Sequence, residues 1–321
     1  MNISQGINFK RELIAIGFIL AAGIGFALGV VKPHVEPKDF YDEIVVEALL
    51  PEEEEHQPCR AEQVMRALVK AYPRRVLKAE YRNGDWAVLL RDTWFYFAEG
   101  RLLPEELLYR IPNYRPIAFY NYPRELPPWT PPTPEQISRF REITGARATQ
   151  LPRSPHFFDT LYRARSREES YRRVKTMRFL GRQVTVHHII LEELALVEER
   201  ILYAARTDSS VRAWIDDIDR MYGWHWRNIG GTQSRSFHSY GAAVDIIPRT
   251  LGGRAVYWRW AGPNWWTIPH ERRHHPPAAV VEAFEAHGFV WGGKWTLFDT
   301  IHFEFRPEVI ILSGIELATM R

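Results

Sequence analysis

The first apolar run of the chain is unbroken, and every later one is interrupted by polar residues or proline. LIAIGFILAAGIGFALGVV, Leu13 to Val31, holds nineteen residues and no charge. At ~1.5 Å rise per residue, such a helix nearly crosses a bilayer core of ~30 Å. Lys10 and Arg11 precede it, which favours a cytoplasmic N-terminus, although Lys32 and Lys38 follow it. The run is longer than the roughly 7–15 residues of a signal-peptide core. The expectation is a transmembrane signal anchor within residues 1–36, with everything after Lys32 outside the cytoplasm.

After an acidic stretch, PKDFYDEIVVEALLPEEEEHQP, the apolar period shortens. AEQVMRALVKAY sets Val64, Leu68 and Tyr72 at helical spacing. DWAVLLRDTWFYFAEG alternates on both sides of Arg91-Asp92 and predicts a hairpin. NYRPIAFYNYPRELPPWTPPTPEQ carries seven prolines, too many for sustained regular structure, and reads as a linker or an aromatic arm over a neighbouring domain. A soft boundary near Pro132 therefore divides a membrane-proximal region, 37–132, from the remainder, 133–321. From Thr133 to about Tyr222 the signals are mainly helical. SREESYRRVKTMRFL opens with Ser166 and Glu169 in capping-box spacing, and VHHIILEELALVEERILYAAR has the pattern of one long helix. From Gly223 the texture turns to short strands, glycines and tryptophans. Helices first and short strands later are compatible with an α+β fold.

Composition narrows the chemistry. With 45% apolar and 13% aromatic residues over 321 positions, the chain is a folded protein. A net charge of +3 makes no bulk electrostatic case for nucleic acid. Eight Lys or Arg against two Glu between Tyr162 and Arg182 read as a solvated helix face rather than a patch for an anionic polymer. Cys59 is the single cysteine, which excludes a disulfide framework and a cysteine-rich zinc site. Any metal chemistry must use histidines and carboxylates.

Two short stretches supply such residues. In SFHSYGAAVDI, residues 236 to 246, alternation puts Ala243, Asp245 and Ile247 on one face of a strand, and Gly241 and Ala242 let a turn carry His238 back over its end. In DTIHFEF, residues 299 to 305, His302 and Glu304 share a face while Phe303 and Phe305 take the other. His238, Asp245 and His302 are candidate ligands of one Zn2+, since a hydrolytic zinc uses three protein ligands. Asp299 stands close enough to reach a water at that site without being a ligand. HERRH, His270 to His274, matches the HExxH zinc-protease pattern, which works only on a helix. Pro269, Pro276 and Pro277 flank it, so at most one turn forms, and the match reads as coincidence. The next helix is expected from those prolines to Gly288. Trp258, Trp260, Trp265 and Trp266, in the insertion between the two metal strands, suit either a cleft wall or ordinary packing.

SFHSYGAAVDI followed by GFVWGGKWTLFDTIHFEFRPE resembles the LAS-type zinc peptidases, which comprise the VanY-like D-Ala-D-Ala carboxypeptidases and the L-alanyl-D-glutamate endopeptidases. The resemblance covers about a quarter of the chain, from Trp224 to Pro307. It implies a small, mostly antiparallel sheet with helices on one side and a zinc cleft. It assigns His238, Asp245 and His302 as zinc ligands, Asp299 as general base, and Arg227 and Ser236 as substrate contacts. An Asp rather than a Glu at the base position leans toward the endopeptidase branch. The implied activity is hydrolysis of peptidoglycan stem peptides by a metal-activated water in a bacterial cell envelope, with Arg227 sharing the oxyanion. Glu304 reads equally as a partner that orients a ligand histidine and as a surface or cross-strand carboxylate. The alternatives are a catalytically inactive peptidoglycan-binding module on the same fold, and an envelope scaffold acting through the residues before Thr133.

Overall fold

The computed structural model describes residues 60–318. The expected anchor, Leu13 to Val31, and the acidic stretch after it lie outside the described residues. Among the described residues no helix is long and apolar enough to cross a membrane.

Helix α1 (Arg60–Ala71) buries Val64, Met65 and Leu68. It is followed by an antiparallel meander, β1 (Val76–Arg82), β2 (Asp85–Leu90), β3 (Thr93–Tyr96) and the two-residue β4 (Leu103–Pro104). The hairpin expected around Arg91-Asp92 is β2–β3, with Leu90 opposite Thr93. The proline-rich stretch then forms an arm with no long regular element. Thr133 starts α2 (Pro134–Ala146) with a reciprocal capping box to Gln136 and with proline at its first position.

The helical reading of 166–206 is corrected in part. Ser166 Oγ does accept the Glu169 N–H, but after α3 (His156–Tyr162) the capped helix α4 spans only Arg167–Tyr171. A hairpin follows, β5 (Val174–Phe179) and β6 (Arg182–His187). Val174, Thr176, Val184, Thr185 and Val186 are β-branched, and the Thr176 and Thr185 hydroxyls meet across the ladder at 2.8 Å. Leu180 and Gly181, both at positive φ, make the turn, and Glu198 accepts the Leu180 N–H. The long helix therefore begins late, as α5 (Leu191–Ala204).

After α6 (Ser209–Asp216) come β7 (Ile218–Tyr222), β8 (Ala243–Pro248), α7 (Ala278–Ala286), β9 (Phe289–Trp291), β10 (His302–Phe305) and α8 (Pro307–Leu312). The second sheet is antiparallel throughout, in the order β7-β8-β10-β9. The fold is thus mixed α+β, with antiparallel sheets and helices. Helix α7 packs on α5 and β9, and α8 packs on α1. One apolar core runs from Val64 and Leu68 through Phe157 and Phe179 to Phe284 and Phe303, so residues before and after Pro132 share it. Phe284 stacks on Phe303 at 3.9 Å between ring centres, and burying each ring contributes about 1.5–3 kcal/mol. This packing fixes one face of β10 and leaves the face bearing His302 and Glu304 for chemistry.

Candidate metal centre and active site

His302 lies opposite Asp245 in the β8–β10 register, so both side chains leave the same face of the sheet. His302 Nδ1 is 2.8 Å from Asp245 Oδ1. His238 arrives from outside the sheet. Ser236 Oγ accepts the His238 N–H and starts a single 3-10 turn, Phe237–Tyr240, which Gly241 ends at φ +69°. A Cβ at Gly241 would fall 2.7 Å from the His187 nitrogen, so that position requires glycine for space as well as for conformation. The turn brings His238 Nε2 to 3.2 Å from both Asp245 Oδ1 and His302 Nδ1. The three candidate ligands are brought together, with their donor atoms within 4.8 Å of one another.

The far nitrogen of each imidazole is also held. His238 Nδ1 is 2.6 Å from the Gly223 carbonyl oxygen, and His302 Nε2 is 3.3 Å from Glu304 Oε2. A carbonyl and a carboxylate only accept, so these nitrogens donate and aim the other nitrogen of each ring at the cluster. Burial would depress His302, yet hydrogen bonds to Asp245 and Glu304 draw it up to about 10. Burial would raise Asp245, yet His238 and His302 hold it well below the usual carboxylate range. The cluster attracts positive charge, and two imidazole nitrogens with one carboxylate oxygen are donors suited to zinc.

Glu304 is braced in turn. Arg306 Nη1 lies 3.4 Å from Glu304 Oε1, Arg306 pairs with buried Glu308, and Glu308 Oε2 accepts the Tyr72 hydroxyl at 2.8 Å. Tyr72 follows α1, so the first helical segment reaches the candidate ligand shell through three side chains. No local pattern announces this relay, because Tyr72 and Glu308 stand 236 positions apart. Their only sequence signal is a pair of acids flanking Arg306 in an otherwise apolar strand end.

Asp299 is held by its backbone, which donates to the Gly292 carbonyl at 2.9 Å and pairs with Tyr257. Its Oδ1 is buried without a hydrogen-bond partner. Burial pushes the carboxyl up to about 6, against the pull of His302 and with the push of Asp245. Arg227 is exposed, its N–H donates to Ser239 Oγ at 2.8 Å, and its charge is felt at Asp299. Ser236 is buried beneath it, donating its N–H to the Arg227 carbonyl. The WGGKW segment that leads to Asp299 is clasped by the proline-rich arm. Tyr120 accepts from Trp295 Nε1 at 2.7 Å, and Tyr122 accepts from the Trp291 N–H at 2.9 Å.

The decoy motif behaves as its prolines require. His270–Arg272 forms one 3-10 turn, Arg273 is extended, and His274 donates its N–H to Ala255. It supplies no convergent set of metal donors among the described residues. Of the four tryptophans, Trp258, Trp265 and Trp266 are buried around Phe298, with Phe140 of α2 packed against them, whereas Trp260 is 72% exposed.

One histidine and one carboxylate borne by the sheet, a second histidine carried in by a turn and a further carboxylate beside them define a candidate hydrolytic metal centre. Residues 230–305 match the family described as D-alanyl-D-alanine carboxypeptidase, a LAS/VanY-like zinc peptidase family. That stretch includes Ser236, His238, Asp245, Asp299 and His302, and begins three residues after Arg227. Residues 64–119 match a family described as a domain of unknown function (DUF8518). No solved structure matches the chain.

Proposed function

We propose that the chain is a zinc-dependent peptidase hydrolysing peptidoglycan stem peptides, of D-Ala-D-Ala carboxypeptidase or L-Ala-D-Glu endopeptidase type. In this reading Leu13 to Val31 anchors it in the cytoplasmic membrane, and its catalytic part works outside the cytoplasm. The carrying observation is the convergence of His238 Nε2, Asp245 Oδ1 and His302 Nδ1, each imidazole oriented from behind, within the stretch that matches the carboxypeptidase family. These three side chains would hold one Zn2+, which when bound polarises a scissile carbonyl and lowers the pKa of water.

The chain's own residues supply the rest. Asp299 accepts a proton from the attacking water on its unpaired Oδ1 and passes it to the leaving amine nitrogen. Arg227, with Ser236 beneath it, meets the substrate, and its guanidinium stays protonated while negative charge grows on the carbonyl oxygen. A merely wall-binding protein has no use for a buried carboxylate with a free oxygen beside three ligands.

Purified peptidoglycan incubated with the protein, with and without chelator, tests the reading by mass analysis of the products. Chelator-sensitive release of D-alanine, or of fragments cut at L-Ala-D-Glu, is expected. The absence of any metal-dependent release, or full activity in Asp299→Ala, overturns it.

A further inference from the structure

Three arginines from separate segments gather against loop 227–235 with no acid paired to any of them among the described residues. Arg115 lies after the first sheet, Arg147 follows the last residue of α2, and Arg153 precedes α3. Arg115 and Arg153 pair through their backbones, and both reach Ser234. Arg115 Nη2 lies 3.3 Å from Ser234 Oγ, and the Arg153 N–H donates to the same oxygen at 3.0 Å. Arg147 Nη2 reaches the Gly230 carbonyl at 3.4 Å. Loop 227–235, which they border, begins at Arg227 and ends at the turn that carries His238.

The Nε of all three arginines is buried without a hydrogen-bond partner, and none of the three makes an ion pair among the described residues. Half-buried cations lacking a counter-ion are costly. Burial, with Arg115 and Arg306 adding, pushes Arg153 down to about 9, and burial with Arg147 lowers Arg115. The acid whose charge Arg153 feels is Glu304, and Glu304 is already shared by His302 and Arg306. What ties the set to the candidate site is the loop itself: Ser234, which Arg115 and Arg153 both reach, stands four residues before His238.

We propose that Arg115, Arg147 and Arg153 form a subsite for a carboxylate of the substrate peptide, flanking the bond to be cut. This rests on the peptidase reading above. The planar fork of a guanidinium matches a carboxylate with two parallel hydrogen bonds, and three such forks bordering one loop select an acid over its amide. The subsite makes the loop a specificity element as well as the support of Arg227.

The test uses the full chain carrying Asp299→Asn, so that binding is read without turnover. Synthetic stem peptides are prepared with each carboxylate either free or converted to its carboxamide. Binding is followed by tryptophan fluorescence, since Arg147 lies 5.3 Å over Trp258. One free acid is expected to bind about 10–100-fold tighter than its carboxamide, the range a charge-assisted hydrogen bond gives. Adding Arg153→Gln erases that ratio by weakening the acid alone. Arg147→Gln does the same and covers the case in which Arg153→Gln fails to fold. Equal binding of acid and amide at every position, or a preference that survives the substitutions, overturns the subsite. Hydrolysis of the same peptides by the protein with Asp299 intact separates the two readings. Discriminating binding without any turnover sinks the peptidase and leaves the subsite standing.

Discussion

Two groups of histidines among the described residues stand in contrast, and the one that looks like a metal site in one dimension is the wrong one. HERRH packs two histidines and a glutamate into five positions, yet its prolines deny it the helix that would put both rings on one face. Its surroundings are also cationic. Burial, then Arg273 and His275, push His270 down to about 4, and burial with Arg254 lowers His274. At the other group, His238 and His302 are 64 positions apart, and their neighbours are acids and a carbonyl that accept hydrogen bonds. One environment repels a cation and the other draws one in. Spacing proposes ligands, but the sign of the local potential and the partner of the second ring nitrogen select them.

The sharpest way to break this contrast is metal analysis of paired variants. His238→Ala and His302→Ala should each lose bound zinc and activity by orders of magnitude, whereas His270→Ala and His274→Ala should keep one zinc per chain. Zinc retained after His302→Ala would dissolve the distinction. Next in size, Asp299→Asn should lower kcat by about 10²–10⁴-fold, the usual worth of a positioned base, with zinc stoichiometry unchanged. Glu304→Gln separates orientation from ligation, and zinc affinity measured by competition with a chelator should weaken by about 10–100-fold.

A histidine in neither group, His187, sharpens the comparison from the side of stability. His187 is buried and pairs its Nε2 with the Tyr162 carbonyl, and burial holds it down to about 3. Between that value and the ordinary ~6.5 the unfolded chain binds a proton that the folded chain refuses. Its contribution is therefore complete above about pH 6.5 and is lost as pH falls toward 3, about 5 kcal/mol in all. Denaturant melts of the wild type and His187→Gln across that window should converge at low pH. Parallel curves would show that His187 does not carry the acid sensitivity.

Much of the site was legible because its parts are local. The turn at Gly241, the alternation that turns Asp245 away from its neighbours, and the shared face of His302 and Glu304 are properties of four- to ten-residue windows. The hairpin around Arg91-Asp92 and the helix ending before Gly288 were readable for the same reason. The stretch from Val174 to His187 was misread because its basic residues suit a helix surface, while the deciding signals were β-branched pairs and a turn in which Leu180 takes a positive φ. A leucine in that conformation depends on Glu198, eighteen positions away, to hold its N–H.

What the sequence determined alone is the donor chemistry. With one cysteine, only histidine and carboxylate remain, and strand periodicity decides which of them leave the same face. What only the tertiary structure decided is how those donors are supported. Tyr72 reaches His302 through Glu308, Arg306 and Glu304, Tyr120 and Tyr122 clasp the segment that carries Asp299, and Ser234 gathers two arginines from distant stretches. Such contacts join residues whose separation along the chain carries no periodic signal. They exist because one apolar core closes over both halves of the described chain and leaves each buried polar group to find its partner there.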